Sequence, residues 1–179
     1  MTSLEQLQYP IGRFVKGKTY SSDEIKKNIE SFSAFPQQLE LFVKNWDEKK
    51  LSLTYREGGW TGRQVINHLA DSHAQLPLRF KSCLTEEDPQ IRPYKENLWA
   101  QLEDGANSDI KYSLQIISGL HGRLTDLFRS LNESDWQKTI YHPESKHTFT
   151  LAELLALYAW HGPHHLGHLK IIGSNSHKV

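Results

Sequence analysis

The chain has almost no cysteine. Cys83 stands alone among 179 residues, set in an apolar helical pattern, so no disulfide framework can form within the chain and a reducing compartment is expected. Neither charge is in excess, with 21 Lys plus Arg against 21 Asp plus Glu. No long-range positive field therefore exists to attract phosphate backbones or an anionic membrane, which argues against nucleic acid as a partner. No apolar run approaches the roughly 20 residues a membrane span needs, and the opening MTSLEQLQYPIG has neither a basic start nor a continuous apolar stretch. A cytoplasmic setting is the expectation. Internal repeats and low-complexity tracts are missing as well, and the length suits one domain spanning 1–179 better than two.

What the chain has in plenty is histidine. Ten are present, and they crowd around positions 68–73 and 161–168. Four segments with helical periodicity place them. The first runs from Ser22 to Trp46, with Asp23 and Glu24 in an opening turn where negative charge suits the helix dipole, and Pro36 is expected to kink or divide it. The second begins at Thr61, whose hydroxyl caps it while Gln64 reaches back, and continues to Leu84. Val65, Leu69, Leu76, Phe80 and Cys83 share one of its faces, and Pro77 interrupts its hydrogen-bond ladder. In the third, Ile110, Leu114, Ile117, His121, Leu124, Phe128 and Leu131 recur at alternating spacings of four and three, the seam of a packed bundle with a histidine at its middle. The fourth opens with Thr150 and Glu153 as a second capping box and carries Leu154, Tyr158, His161, His165 and Ile172 before the polar tail SNSHKV.

The connections suggest how these helices are arranged. About a dozen residues with a Gly58-Gly59 turn join the first two, which suits antiparallel neighbours. Residues 85–108 are long enough to travel back along a helix of roughly 30 Å and start the next one parallel, so a long crossover is expected between helices two and three. Alternation at 139–142 and 147–149 around Pro143-Glu144-Ser145-Lys146 predicts a small hairpin. The expected class is an all-α four-helix bundle.

On a helix, residues four apart differ by ~40° in direction and about one turn in height, so His161 and His165 can present their rings to one ion. The spacing is that of HExxH zinc helices, but Gly162, Pro163 and His164 intervene, and the glutamate that a zinc protease needs is missing. His164 and His168 form a rival pair. The apolar direction set by Leu151, Leu154, Tyr158, Leu169 and Ile172 falls close to His161 and His165, with His164 pointing farther off and His168 at the edge. These residues alone leave open whether the pair binds metal or sits in the core. His68 lies at the border of the second helix's apolar face. Asp71, three residues on, either orients an imidazole from behind or is solvated. His121 is either a satisfied core histidine or part of the site, because an unpaired polar ring in a seam is costly. His73, His142, His147 and His177 read as surface or loop residues, and His73 and His177 receive no role.

The stretches YPIGRF, YREGGWTGRQVINHLADSH, RFKSCLTEEDPQIRPY, LHGR, YHPE and LYAWH leading into HLGH, in this order over nearly the whole chain, carry a resemblance. The sequence resembles the DinB-like superfamily and, within it, the YfiT group of metal-dependent hydrolases, related to bacillithiol S-transferase-like proteins. The resemblance implies a four-helix bundle with up-down-down-up connectivity, a homodimer, and one divalent metal per chain held by His68, His161 and His165. Zinc is the first expectation and nickel the second. Pro163 between the two paired histidines departs from a regular helix and puts their relative tilt in doubt.

Three neutral imidazoles leave the ion its full charge, and a water in an open fourth position would have its pKa lowered from about 15.7 to about 7. Hydrolysis of a small-molecule substrate by that water is the first expectation, with no general base assigned and His121 and Asp71 as candidates for supporting roles. Transfer of a low-molecular-weight thiol is the alternative, with Arg92, Arg123 and Tyr94 as candidates to hold a charged thiol cofactor. A non-catalytic, metal-stabilised binding module, its site closed by His121 or His168, is the third.

Overall fold

The computed structural model describes residues 3–175. Its elements in chain order are α1 (Leu4–Gln8), α2 (Ser22–Val43), α3 (Glu48–Leu51), α4 (Gly62–Thr85), α5 (Glu96–Trp99), α6 (Glu103–Asn107), α7 (Ile110–Ser130), α8 (Glu133–Trp136), β1 (Thr139–His142), β2 (His147–Thr150) and α9 (Leu151–Asn175). The four long helices are the four periodic segments of the sequence. The hairpin forms in antiparallel register, Thr139 opposite Thr150 and His142 opposite His147.

Local chemistry sets the helix starts. The Thr61 hydroxyl accepts from the Gln64 amide, and the Gln64 side chain accepts from the Thr61 amide, so the expected capping box opens α4. At α9 only half of the box exists. Thr150 Oγ1 accepts from the Glu153 amide, but the Glu153 carboxylate turns away to accept from the Gly17 amide at 2.7 Å and to meet His147 Nε2 at 3.0 Å. The glutamate thereby fastens the N-terminal strap and the hairpin to α9.

α2 packs on α7 and α9, and α4 packs on the same two. The first two long helices thus lie across the bundle's diagonal, not side by side as their short connection suggested. Side-chain pairs give the directions. Phe35 meets Gly162 and Phe42 meets Gly173, so α2 and α9 run parallel; Asn67 bonds Ser113 and His73 bonds His121, so α4 and α7 run parallel. Phe32 touches both His121 and Phe128 while Phe35 touches His121, and Arg79 reaches Tyr158 while His68 lies beside His165, so the remaining neighbours are antiparallel. This is up-down-down-up connectivity. It requires the crossover at 86–109, which holds the two short helices α5 and α6.

The core is divided. One apolar cluster contains Ile25, Phe32, Phe80, Phe128 and Leu154; a second contains Phe35, Leu39, Leu69, Ile117 and Leu169. Each fully buried side chain of this size contributes about 1.5–3 kcal/mol. Between the clusters, at the middle of α4, α7 and α9, lies a layer of imidazoles: His73, His121 and His161.

Three of the four long helices carry a proline. Pro36, Pro77 and Pro163 all sit inside unbroken helices. Pro36 does not divide α2, but a proline has no N–H for the carbonyl four residues earlier, so Phe32 is left with a free oxygen. Gly162 is required beside Pro163 because a Cβ there would lie 2.8 Å from the Phe35 ring.

Candidate metal centre

His68 from α4 and His161 and His165 from α9 come together, each offering one ring nitrogen, with all three atoms within 4.8 Å of one another. Their rings meet edge to face, with centroids 4.8 Å apart for His68 and His165, 5.4 Å for His68 and His161, and 4.5 Å for His161 and His165. Burial disfavours the charged imidazolium. It pushes His68 down to about 4 and holds His161 and His165 well below the ordinary histidine range, with further depression from neighbouring histidines. At neutral pH the three rings are uncharged and carry free lone pairs, the state in which histidine binds metals. Pro163 lies between the paired rings without breaking the helix or separating them.

A second trio, His164, His165 and His168, also has one ring nitrogen from each residue within 4.8 Å of the others. The helical wheel separated these residues poorly. His164 is 7% exposed and His168 3%, against 7% for His165, so burial does not separate the two trios. The N-terminal segment covers the face that periodicity assigned to the margin: Pro10 packs on Gly167, and His168 Nε2 lies 3.1 Å from the carbonyl of Gln8.

Behind the first trio the structure corrects the reading of His73. It is not a surface residue but fully buried, with Nδ1 2.7 Å from His121 Nε2 and Nε2 3.2 Å from His161 Nδ1. His121 is buried with both ring nitrogens partnered. Its Nδ1–H donates to the Phe32 carbonyl at 2.7 Å, and its ring stacks on Phe32 with centroids 3.7 Å apart. Burial pushes it down to about 4, partly offset by that carbonyl. On the other side, His165 Nδ1 lies 3.2 Å from His168 Nδ1. His164 has a buried Nδ1 with no hydrogen-bond partner among the described residues and stacks on Trp160. Asp71 orients no imidazole. Its carboxyl is pushed up to about 6 by burial and by Asp104 of α6, and it forms no hydrogen bond to His68. His147 is tied to Glu153, His142 lines a cavity, and His177 lies outside the described residues.

Two cavities meet at His161. One, of about 490 Å³, contains the trio together with Tyr9, Tyr55 and Trp60; the other, of about 410 Å³, runs past Arg79, Tyr94 and Tyr158. Glu96 and Asn97 of α5 line both. Of the three residues expected to hold a charged group, only Tyr94 lines a cavity with His161. Arg92 opens onto an adjoining hollow and Arg123 is exposed on α7. Two cations line that cavity, Lys95 and Arg79, and of these it is Arg79 that is anchored. Its Nη1 donates to the Tyr158 hydroxyl at 2.7 Å, that hydroxyl donates to the Ser72 carbonyl at 3.1 Å, and no carboxylate pairs with the guanidinium among the described residues.

This fold matches a known class. The DinB superfamily model matches residues 31–169, and the chain belongs to that superfamily. Among its relatives is YfiT of Bacillus subtilis, 42% identical over 169 residues and covering 94% of both chains, which is named, with no substrate stated, as a metal-dependent hydrolase. A Bacillus mycoides protein named in the same way is 43% identical over 166 residues, 93% of this chain and 95% of the relative. The solved structure of B. subtilis YfiT, described as having an unusual four-helix bundle topology, superposes with a TM-score of 0.92 at 40% identity, covering 96% of this chain and 98% of that one.

Proposed function

We propose that the chain is a metal-dependent hydrolase of small molecules whose ion is held by His68, His161 and His165. The observation that carries this reading is the convergence of three neutral imidazoles from two helices where two cavities meet. The donor set suits zinc first and nickel second, since imidazole nitrogen serves both. The rival trio is the poorer choice because both nitrogens of His168 already have partners, in His165 and the Gln8 carbonyl. The same fact, together with the engagement of His121 by His73 and Phe32, leaves neither residue free to close the coordination sphere, which counts against the binding-module reading.

A divalent ion in this centre would polarise a substrate carbonyl and lower the pKa of water toward neutrality. The protein's own contribution is to hold three lone pairs together, to wall the centre with Trp60 and the surrounding histidines, and to offer Arg79 to an anionic part of the substrate. Arg79 and Tyr94 would equally receive a charged thiol cofactor, which keeps thiol transfer as the second reading. The proposal carries with it a cytoplasmic homodimer, checked by sedimentation; exposed Leu98, Leu102 and Ile116 offer apolar surface for a second copy to cover.

The test is elemental analysis of the purified protein together with hydrolysis of chromogenic esters and amides. About one equivalent of metal, lost in His161→Ala and His165→Ala along with chelator-sensitive hydrolysis, is the expected result. Full metal occupancy in both variants would overturn the ligand assignment, and product release only when a thiol is added would replace hydrolysis by transfer.

A further inference from the structure

Both α9 histidines of the trio have Nδ1 within hydrogen-bond distance of another histidine, and each of the two paths ends on a backbone carbonyl. The first runs from His161 through His73 and His121 to Phe32 O, over 3.2, 2.7 and 2.7 Å. The second runs from His165 through His168 to Gln8 O, over 3.2 and 3.1 Å. A carbonyl only accepts, so each path has one consistent assignment of protons when its rings are neutral.

In the first path His121 must carry its proton on Nδ1 to donate to Phe32. Its Nε2 then accepts from His73 Nδ1–H. His73 Nε2 in turn accepts from His161 Nδ1–H, and His161 keeps a bare lone pair on Nε2. In the second path His168 donates Nε2–H to Gln8, its Nδ1 accepts from His165 Nδ1–H, and His165 also keeps Nε2 bare.

We infer that His73, His121 and His168 are positioning residues that fix the tautomer of His161 and His165, so that both present Nε2 to the ion. The inference rests on the metal reading above and adds to it the source of the ligands' orientation. An imidazole free to exchange its proton between nitrogens spends part of its time with the wrong atom bare, whereas a ring whose Nδ1–H is already engaged does not. The freed Phe32 carbonyl is what lets the longer path end inside the bundle. An ordinary helix would have spent that oxygen on residue 36, which here is Pro36. His68 has no such path. Its ring forms no hydrogen bond among the described residues and is held by packing against Trp60, with centroids 4.6 Å apart.

The experiment has two arms on the full-length protein. In the metal-free wild type, long-range nitrogen–proton NMR correlations should report Nδ1–H on His161, His165, His73 and His121, and Nε2–H on His168. An Nε2–H tautomer on His161 or His165 overturns the inference whether or not the protein binds metal.

In the second arm, zinc affinity is measured by competition and the cobalt-substituted protein by its visible spectrum. His73→Phe should weaken zinc by roughly 10- to 100-fold and alter the cobalt spectrum. His73→Gln, whose amide can both accept from His161 and donate to His121, should restore most of both. A wild type that binds zinc while His73→Phe binds it equally well, with an unchanged cobalt spectrum, also overturns the inference. A wild type that binds no metal would sink the metal reading, and the tautomer arm would still decide this one.

Discussion

His121 donates its Nδ1–H to the carbonyl of Phe32 across 2.7 Å, and that carbonyl is the one in α2 that Pro36 leaves without a helical partner. A proline that weakens one helix thus supplies the acceptor that lets a histidine sit in the seam of another. Without it, His121 would have to bury an unsatisfied N–H, at a cost of about 1–3 kcal/mol.

The substitution Pro36→Ala tests this exchange. The alanine would offer an amide to the same carbonyl, so the usual gain of a helix-interior Pro→Ala change, about 3 kcal/mol in helix propensity, should be largely lost to competition with His121. Chemical denaturation measures it. A full gain in stability would show that the Phe32–His121 bond contributes little.

Metal removal should lower the melting temperature. A ligand at 100 times its dissociation constant that binds only the folded chain adds about 2.7 kcal/mol. Chelation should therefore destabilise the wild type but not His161→Ala, and equal melting curves for the wild type with and without zinc would contradict it.

Asp71 gives a pH signature. Its folded-state pKa is raised to about 6, above the ordinary carboxylate value of 3.8. Its ionised form is thus disfavoured by folding, and the penalty is present in full above about pH 6 and absent below about pH 4. Asp71→Asn should stabilise the protein by about 1 kcal/mol at pH 7.5, a figure discounted for the partly exposed site, and the gain should vanish as the pH falls toward 4. Denaturant titrations at the two pH values decide it; a gain independent of pH would assign the effect elsewhere.

Gly162→Ala should cost roughly 1–3 kcal/mol, because the new methyl meets the Phe35 ring at 2.8 Å. Phe35→Leu in the same chain should return part of the loss. Strict additivity of the two changes would mean that the close approach is not the cause.

Arg79→Met should raise KM for anionic substrates by about tenfold or more, the worth of a charge-assisted hydrogen bond, and leave neutral esters of similar size little changed. Equal effects on both would point to a structural role through Tyr158.

The four helices and the hairpin were legible in the sequence because periodicity and capping residues are local. So were the three histidines of the trio, through spacing and resemblance. The diagonal placement of α2 and α4 was not, since a short connection constrains ends and not neighbours. His73 was missed although a signal existed. Positions 65, 69, 73, 76, 80 and 83 keep the four-and-three rhythm of one buried face, and His73 completes it. Polarity alone puts His73 at the surface, whereas its position in that rhythm marks it as core. Arg79 gave no comparable signal, because its role depends on Tyr158, 79 residues away. The burial of His168 rests on the N-terminal segment and its contact with Gln8, which no pattern within α9 can report.

The imidazole layer also sets how the two halves of the core can vary. Dispersion contacts are short-ranged, and Leu39 and Leu154 lie in different clusters on opposite sides of that layer. A change of volume in one cluster is taken up there, so each half is free to be repacked while the other stays as it is. Only the layer itself must keep its residues and its register, because every long helix of the bundle passes through it.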